Sequence, residues 1–278
     1  MFELYEKTSD ACSKITTNTY STSFSLGIKM IAKDYRWAIY GIYGFVRLAD
    51  EIVDTFERED KAELFYKFKS DTYEAIEKGI SLNPILQSFQ KVARQYNIGK
   101  DLIEPFFQSM EADLEQKVYN VDEYDTYIYG SAEVVGLMCL KVFCDGNETE
   151  YQKLRQPARA LGAAFQKVNF LRDIKSDVED RGRIYFPNLD LRHFDEDTKQ
   201  LIIEDVKKDF REAYLGIQML PVSCKFGVYT SYIYYLKLLE KIERKHAREI
   251  LEKRIRVANS EKMALLAKSF FKFKFNVL

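Results

Sequence analysis

Asp50 and Asp54 lie four residues apart in RLADEIVDTF, and Asp173 and Asp177 repeat that spacing in NFLRDIKSD. On a helix, residues four apart share a face. With 43 acids in 278 residues, roughly six to seven such pairs arise by chance among helical neighbours, so spacing alone decides nothing. The surroundings are more informative, because each pair closes an apolar stretch, AIYGIYGFV before the first and LGAAFQKVNFL before the second. Carboxylates at buried helix ends repel each other, and each costs several kcal/mol to take out of water, of order 3 to 5 if left unpaired. A hard divalent cation would offset that cost. Mg²⁺ takes oxygen ligands, keeps several waters and is commonly shared between one or two carboxylates and substrate phosphates. Asn169, one turn before Asp173, offers a neutral oxygen on the same face or a hydrogen bond within the core.

Arginines accompany both acidic pairs. Arg47 is one turn before Asp50, Arg172 abuts Asp173, and Arg183 sits in the glycine-containing segment RGRIYFP. Guanidinium groups bind phosphate in bidentate fashion, although each could instead pair with the acid beside it. Aromatic residues crowd the same regions (Tyr40, Tyr43, Phe45, Tyr127, Tyr129, Phe165 and Phe170). Most belong to a core, and a minority lining a cavity would present ring faces that stabilise cations. The hydroxyl-rich stretch TTNTYSTSFS supplies either helix caps or phosphate donors.

The elements holding these residues read as helices. Apolar side chains recur at three- and four-residue spacing, as in Leu64, Phe65, Phe68, Tyr73 and Ile76, and no β-branched alternation suggests a sheet. Proline (5) and glycine (12) are scarce, so helices should be long. Breaks are expected at Gly79 to Pro84, Asn97 to Gly99, Asp145 to Asn147, Arg181 to Leu191 and around Pro221, leaving eight or nine helices in one all-α domain spanning residues 1–278.

Composition excludes several function classes. A net charge of −1 provides no field to attract nucleic acid. Two histidines and four cysteines without a CxxC pair argue against a zinc site and fit a reducing cytoplasm. The charged start MFELYEKTSDACSK lacks the apolar stretch of an export signal. The longest uncharged apolar run, Trp37 to Val46, is too short to span a bilayer. The expected location is therefore cytoplasmic. Residues from Lys237 onward carry twelve Lys/Arg against five Glu, and the ending KMALLAKSFFKFKFNVL mixes lysine with phenylalanine. Such a segment is either a packed terminal helix or a peripheral membrane contact.

These motifs, in this order, resemble the squalene and phytoene synthase family over nearly the whole chain. YSTSFSLGIKM is similar to the family's opening segment, WAIYGIYGFVRLADEIVD to its first aspartate-rich motif, and QKVNFLRDIKSDVEDRGRIYFP to its second. Between Asp177 and RGRIYFP this chain has one residue more than the commonest family spacing. The resemblance implies a class I isoprenoid synthase bundle with the acidic motifs facing each other across a central cavity. Asp50, Asp54, Asn169, Asp173 and Asp177 then match positions that hold Mg²⁺ and diphosphate. Arg47, Gln166, Arg172 and Arg183 match substrate-binding positions, as do Tyr20, Ser21, Thr22, Ser23 and Tyr43. Tyr129 is similar to a cavity tyrosine near the reacting carbons, and Tyr235 aligns with another.

The same resemblance implies Mg²⁺-dependent head-to-head coupling of two prenyl diphosphates through a cyclopropyl diphosphate. The Asp50–Glu51 start of the first motif favours phytoene synthesis from geranylgeranyl diphosphate, without NADPH. Squalene or dehydrosqualene synthesis from farnesyl diphosphate is the alternative. A non-catalytic prenyl-lipid-binding or assembly protein is a third reading, since fold does not dictate function.

Overall fold

The computed structural model describes residues 1–115, 118–187 and 194–275. Among them it is all-α: no strand is present beyond one isolated bridge pair, Val118 with Ile184. The helices are α1 (Phe2–Tyr20), α2 (Thr22–Lys29), α3 (Lys33–Asp54), α4 (Lys61–Lys78), α5 (Pro84–Gln95), α6 (Lys100–Glu115) and α7 (Val121–Ile128). They continue with α8 (Val134–Cys144), α9 (Glu148–Glu179), α10 (Glu196–Met219), α11 (Val222–Glu243), α12 (Ala247–Glu252) and α13 (Asn259–Lys274).

Thirteen helices among the described residues exceed the expected eight or nine. Every expected break is present among the described residues, the one at Arg181 to Leu191 being described through residue 187 while 188–191 lie outside the described residues. Gly79 ends α4 in the left-handed region at φ 72°, and Asn83 caps α5 ahead of Pro84. Asn97 and Asp145 also take positive φ. Additional breaks at Ser21, at 55–60, at 244–246 and at 253–258 contain neither proline nor glycine. Pro105 and Pro157, by contrast, lie inside α6 and α9 without ending them.

Helix α3 separates two environments. One face packs Phe45 against Phe68, Phe89, Phe106 and Phe107, with ring centroids 3.8–5.8 Å apart, in a dry aromatic core formed with α4, α5 and α6. Its opposite stripe, from Ile39 through Tyr43 and Arg47 to Asp50 and Asp54, faces a cavity. The second wall is α9, whose 32 residues carry the other acidic pair. Close approach of α9 to α8 depends on glycine, because a Cβ at Gly162 would fall 2.6 Å from the Ala132 carbonyl oxygen and one at Gly136 2.8 Å from that of Ala158. The continuous helical stretch Val121–Cys144 is apolar enough to span a membrane, with half of its most apolar window buried within the bundle. It also carries Glu133, paired with Arg159.

Candidate active site

The cavity between α3 and α9 has a volume of about 610 Å³, within the range of small-molecule sites. Asp50, Asp54, Asp173 and Asp177 all line its mouth. Asp54 is the last residue of α3 and Asp177 lies near the end of α9, so the apolar stretches before them fix both carboxylates at the rim. Arg181 links the two motifs, with Nη1 donating to Asp177 at 2.8 Å and Nε 3.6 Å from Asp54. One guanidinium can reach both acids only if they face each other.

The remaining arginines complete a ring of charge. Arg47 pairs with Glu51, stands 3.9 Å from Asp50 and lies 4.2 Å above the Tyr20 ring, while its buried Nε–H has no partner. Arg172 grips the neighbouring Asp173 with two hydrogen bonds, at 3.0 and 2.5 Å. Local salt bridges, the simple reading of these two arginines, are thus present. Arg254, from the extended segment after α12, adds a 2.9 Å contact to Asp173.

Several expected residues lie elsewhere. Arg183 is only 5% exposed and sits behind the carboxylates instead of in the cavity. Its donors are spent on Asp54 at 2.7 Å, the Tyr185 hydroxyl at 3.2 Å and the Asp113 carbonyl at 2.7 Å. It braces Asp54 and does not reach the cavity lining where substrate phosphate would sit. Tyr129 is not on the lining either. Tyr127, Ser131 and Val135 form the cavity stripe, and a residue two past Tyr127 points to the opposite side of a helix. The Tyr129 ring accordingly lies beneath the Arg159 guanidinium, 5.2 Å away, in a single π-helical turn.

Within the opening segment, Tyr20 and Ser21 line the cavity, whereas Thr22 and Ser23 lie off the face defined by Ser21, Phe24 and Ile28. Ser21 caps α2, accepting from Phe24 N at 3.1 Å. The exposed Thr22 hydroxyl accepts from Lys262 Nζ at 2.6 Å. Tyr43, Gln166, Asn169 and Tyr235 all reach the lining. The Tyr235 hydroxyl donates to Asn169 at 3.2 Å, and its ring stacks on Phe165 at 4.0 Å.

Three functional residues escaped the sequence reading. Arg181 stands within the second motif but is indistinguishable there from a surface base, and Arg254 has no local signal at all. Asp113 had one: it follows Phe106 and Met110 at helical spacing, a lone acid on an apolar stripe. In the fold it is 7% exposed and accepts from the hydroxyls of Tyr127 (2.6 Å), Tyr185 (3.1 Å) and Tyr119 (3.3 Å).

The electrostatics show a surplus of buried negative charge. Burial, reinforced by Asp54, raises the Asp50 carboxyl to about 7, and burial with the Asp173 charge raises Asp177 to about 7. Burial also lifts Asp113 to about 6, against the opposing pull of Arg183. The Tyr43 hydroxyl, pushed up to about 12 by burial, stays protonated and acts as a donor. A cation added between the acidic pairs would relieve these shifts, and every side-chain donor at the rim is oxygen. No three acids, cysteines or histidines converge on one point among the described residues. A divalent ion would therefore take its other ligands from water or from a bound phosphate, as Mg²⁺ commonly does.

A pH prediction follows with a definite sign. Carboxyls raised in the fold bind protons that the unfolded chain has already lost, so their stabilising contribution is complete below about pH 4 and vanishes as pH rises through about 7. The metal-free protein should melt at a lower temperature at about pH 8 than at about pH 6, and Mg²⁺ with inorganic diphosphate should reduce the difference. Calorimetric scans that are flat or rising across this range would contradict the arrangement.

An all-helical bundle enclosing an apolar cavity, with acids and arginines at its mouth, defines an isoprenoid-synthase-like fold. Residues 17–261 match the squalene/phytoene synthase family, and the chain belongs to that family of prenyltransferases. It is 28% identical to a phytoene synthase of Arthrospira platensis, over 92% of this chain and 90% of that protein. Identity to phytoene synthase 1 of Solanum lycopersicum is 26%, over 97% of this chain and 68% of the relative. Among solved structures, a dehydrosqualene synthase in complex with ligand superposes with a TM-score of 0.82 at 19% identity, covering 98% of this chain and 99% of that one. A squalene synthase of Alicyclobacillus acidocaldarius gives 0.75 at 18% identity, covering 91% and 97%.

Proposed function

We propose that this chain is a phytoene synthase, joining two geranylgeranyl diphosphates head to head in a Mg²⁺-dependent reaction without a nicotinamide cofactor. The observation that carries this reading is the pair of acidic motifs held face to face by Arg181 at the mouth of an apolar cavity. Its curated phytoene synthase relatives support the C20 substrate.

Asp50, Asp54, Asn169, Asp173 and Asp177 are the oxygen donors available to the metal. Mg²⁺ held there would supply positive charge to stabilise the departing diphosphate. The chain's own residues do the rest. Arg47, with its unpartnered Nε–H, and Arg172 and Arg254 bind phosphate oxygens. Tyr43 donates to the same group. The rings of Phe24, Phe165 and Tyr235, packed 4.0–5.9 Å from one another, face the carbocation left behind. Deeper apolar side chains such as Ile42, Leu161 and Ile217 exclude the water that would quench it.

Incubation of the purified protein with geranylgeranyl or farnesyl diphosphate, with and without Mg²⁺ and NADPH, tests the proposal. A C40 hydrocarbon made from the C20 substrate without NADPH is the expected product. A C30 product only would reassign the substrate to farnesyl diphosphate, and absence of diphosphate release would point to a binding protein.

A further inference from the structure

Helix α13 carries two apolar faces where an ordinary surface helix has one. Its inner face packs on α11, with Phe270 and Phe273 centred 5.9 and 5.1 Å from Phe226 and Ser269 buried. Its outer face should be polar if water were its only neighbour. Instead Met263 (55% exposed), Ala267 and Phe271 (59% exposed) follow one another at i, i+4 and i+8, with Phe275 (70% exposed) one turn on.

The charged residues of that outer face are all of one sign. Lys268, Lys272 and Lys274 are exposed, and no acid occurs between residues 262 and 275. Among the described residues none of these three lysines reaches a carboxylate, whereas the exposed Lys67 and Lys78 of α4 are paired with acids on their own helix. Where α13 ends against α11 the surface continues in kind. Val222, one turn before Phe226, is 74% exposed, and the exposed Lys29 and Lys33, with the exposed Asp34 beside them, flank the α2–α3 connection that bonds to Ser223.

Scattered exposed apolar side chains are normal, but a contiguous strip rimmed by cations is not. We propose that the outer face of α13, with Val222, Lys29 and Lys33 beside it, docks flat on an anionic lipid surface. The phenylalanines and Met263 enter the headgroup–acyl boundary, and the unpaired lysines meet the acidic headgroups. The lysines of α13, with no acid between residues 262 and 275, select this occupant over a second copy of the chain, since two such faces would repel each other. Docking there sets the apolar cavity against the bilayer: α11 contributes Phe226 to the α13 contact and its neighbours Gly227 and Val228 to the cavity wall.

Flotation of the full chain with vesicles of phosphatidylcholine, alone or with about 30% phosphatidylserine, tests this without reference to turnover. Binding is expected to the anionic vesicles and to weaken at about 0.5 M salt. The double variant Phe271→Ser/Phe275→Ser should bind at least about tenfold more weakly, and each of Lys268→Gln, Lys272→Gln and Lys274→Gln about fivefold. Because these side chains project outward, circular dichroism of the variants should match the parent. Equal binding by parent and variants, no binding to anionic vesicles, or a solution dimer that the phenylalanine variants dissociate would each overturn the proposal.

Discussion

Replacement of Asp173 by alanine should lower turnover of prenyl diphosphate by at least about 10²- to 10³-fold, the scale on which preorganised charge stabilisation is lost. Asp173 is held by Arg172 from its own helix and by Arg254 from a distant segment. Its removal deletes one of the carboxylates proposed to hold the metal and frees two guanidinium groups that would then compete for diphosphate. Substrate should consequently bind nearly as well while chemistry fails, so the loss should appear in kcat far more than in KM. Helical content should be preserved, because the side chain is partly exposed and packs no core. An Asp173→Ala protein with parental kcat would remove this carboxylate from the mechanism.

The second large effect should fall on folding. Arg183→Met withdraws the one cation that, among the described residues, pairs with Asp113, and leaves Asp54 with the more distant Arg181. Removing one partner of a buried ion pair costs about 3–5 kcal/mol, which for a chain of this size corresponds to roughly 10 °C in melting temperature. Were Arg183 instead a phosphate ligand, the same change would leave the melting temperature alone and raise KM. Thermal denaturation and kinetics of this one variant therefore separate the two roles.

Much of the architecture was legible because helical period and sparse punctuation leave few alternatives. Both acidic pairs were recognisable for the same reason: the apolar stretches before them show which helix ends are buried. Helix number was underestimated because glycine and proline were treated as the necessary marks of a break. Ser21 ends one helix and caps the next with a hydroxyl alone, and the 253–258 segment is held open by tertiary contacts such as Arg254 on Asp173. Within the site, errors came where a residue's neighbours are distant in sequence. Nothing local reveals that Arg183 would meet Asp113 seventy residues away, and only the helical phase set by Tyr127 and Val135 excludes Tyr129 from the cavity.

The guanidinium of Arg181 spans Asp54 and Asp177 where a metal-bound diphosphate would later sit. Between turnovers the two walls are thus already sewn together by an internal counterion, and the like charges do not spread the gate. Ligand arrival becomes an exchange of partners, in which the arginine lets go of the acids and can turn to the incoming phosphate. Such an exchange would never leave the acids without a counterion, so the empty and loaded forms need differ little in backbone.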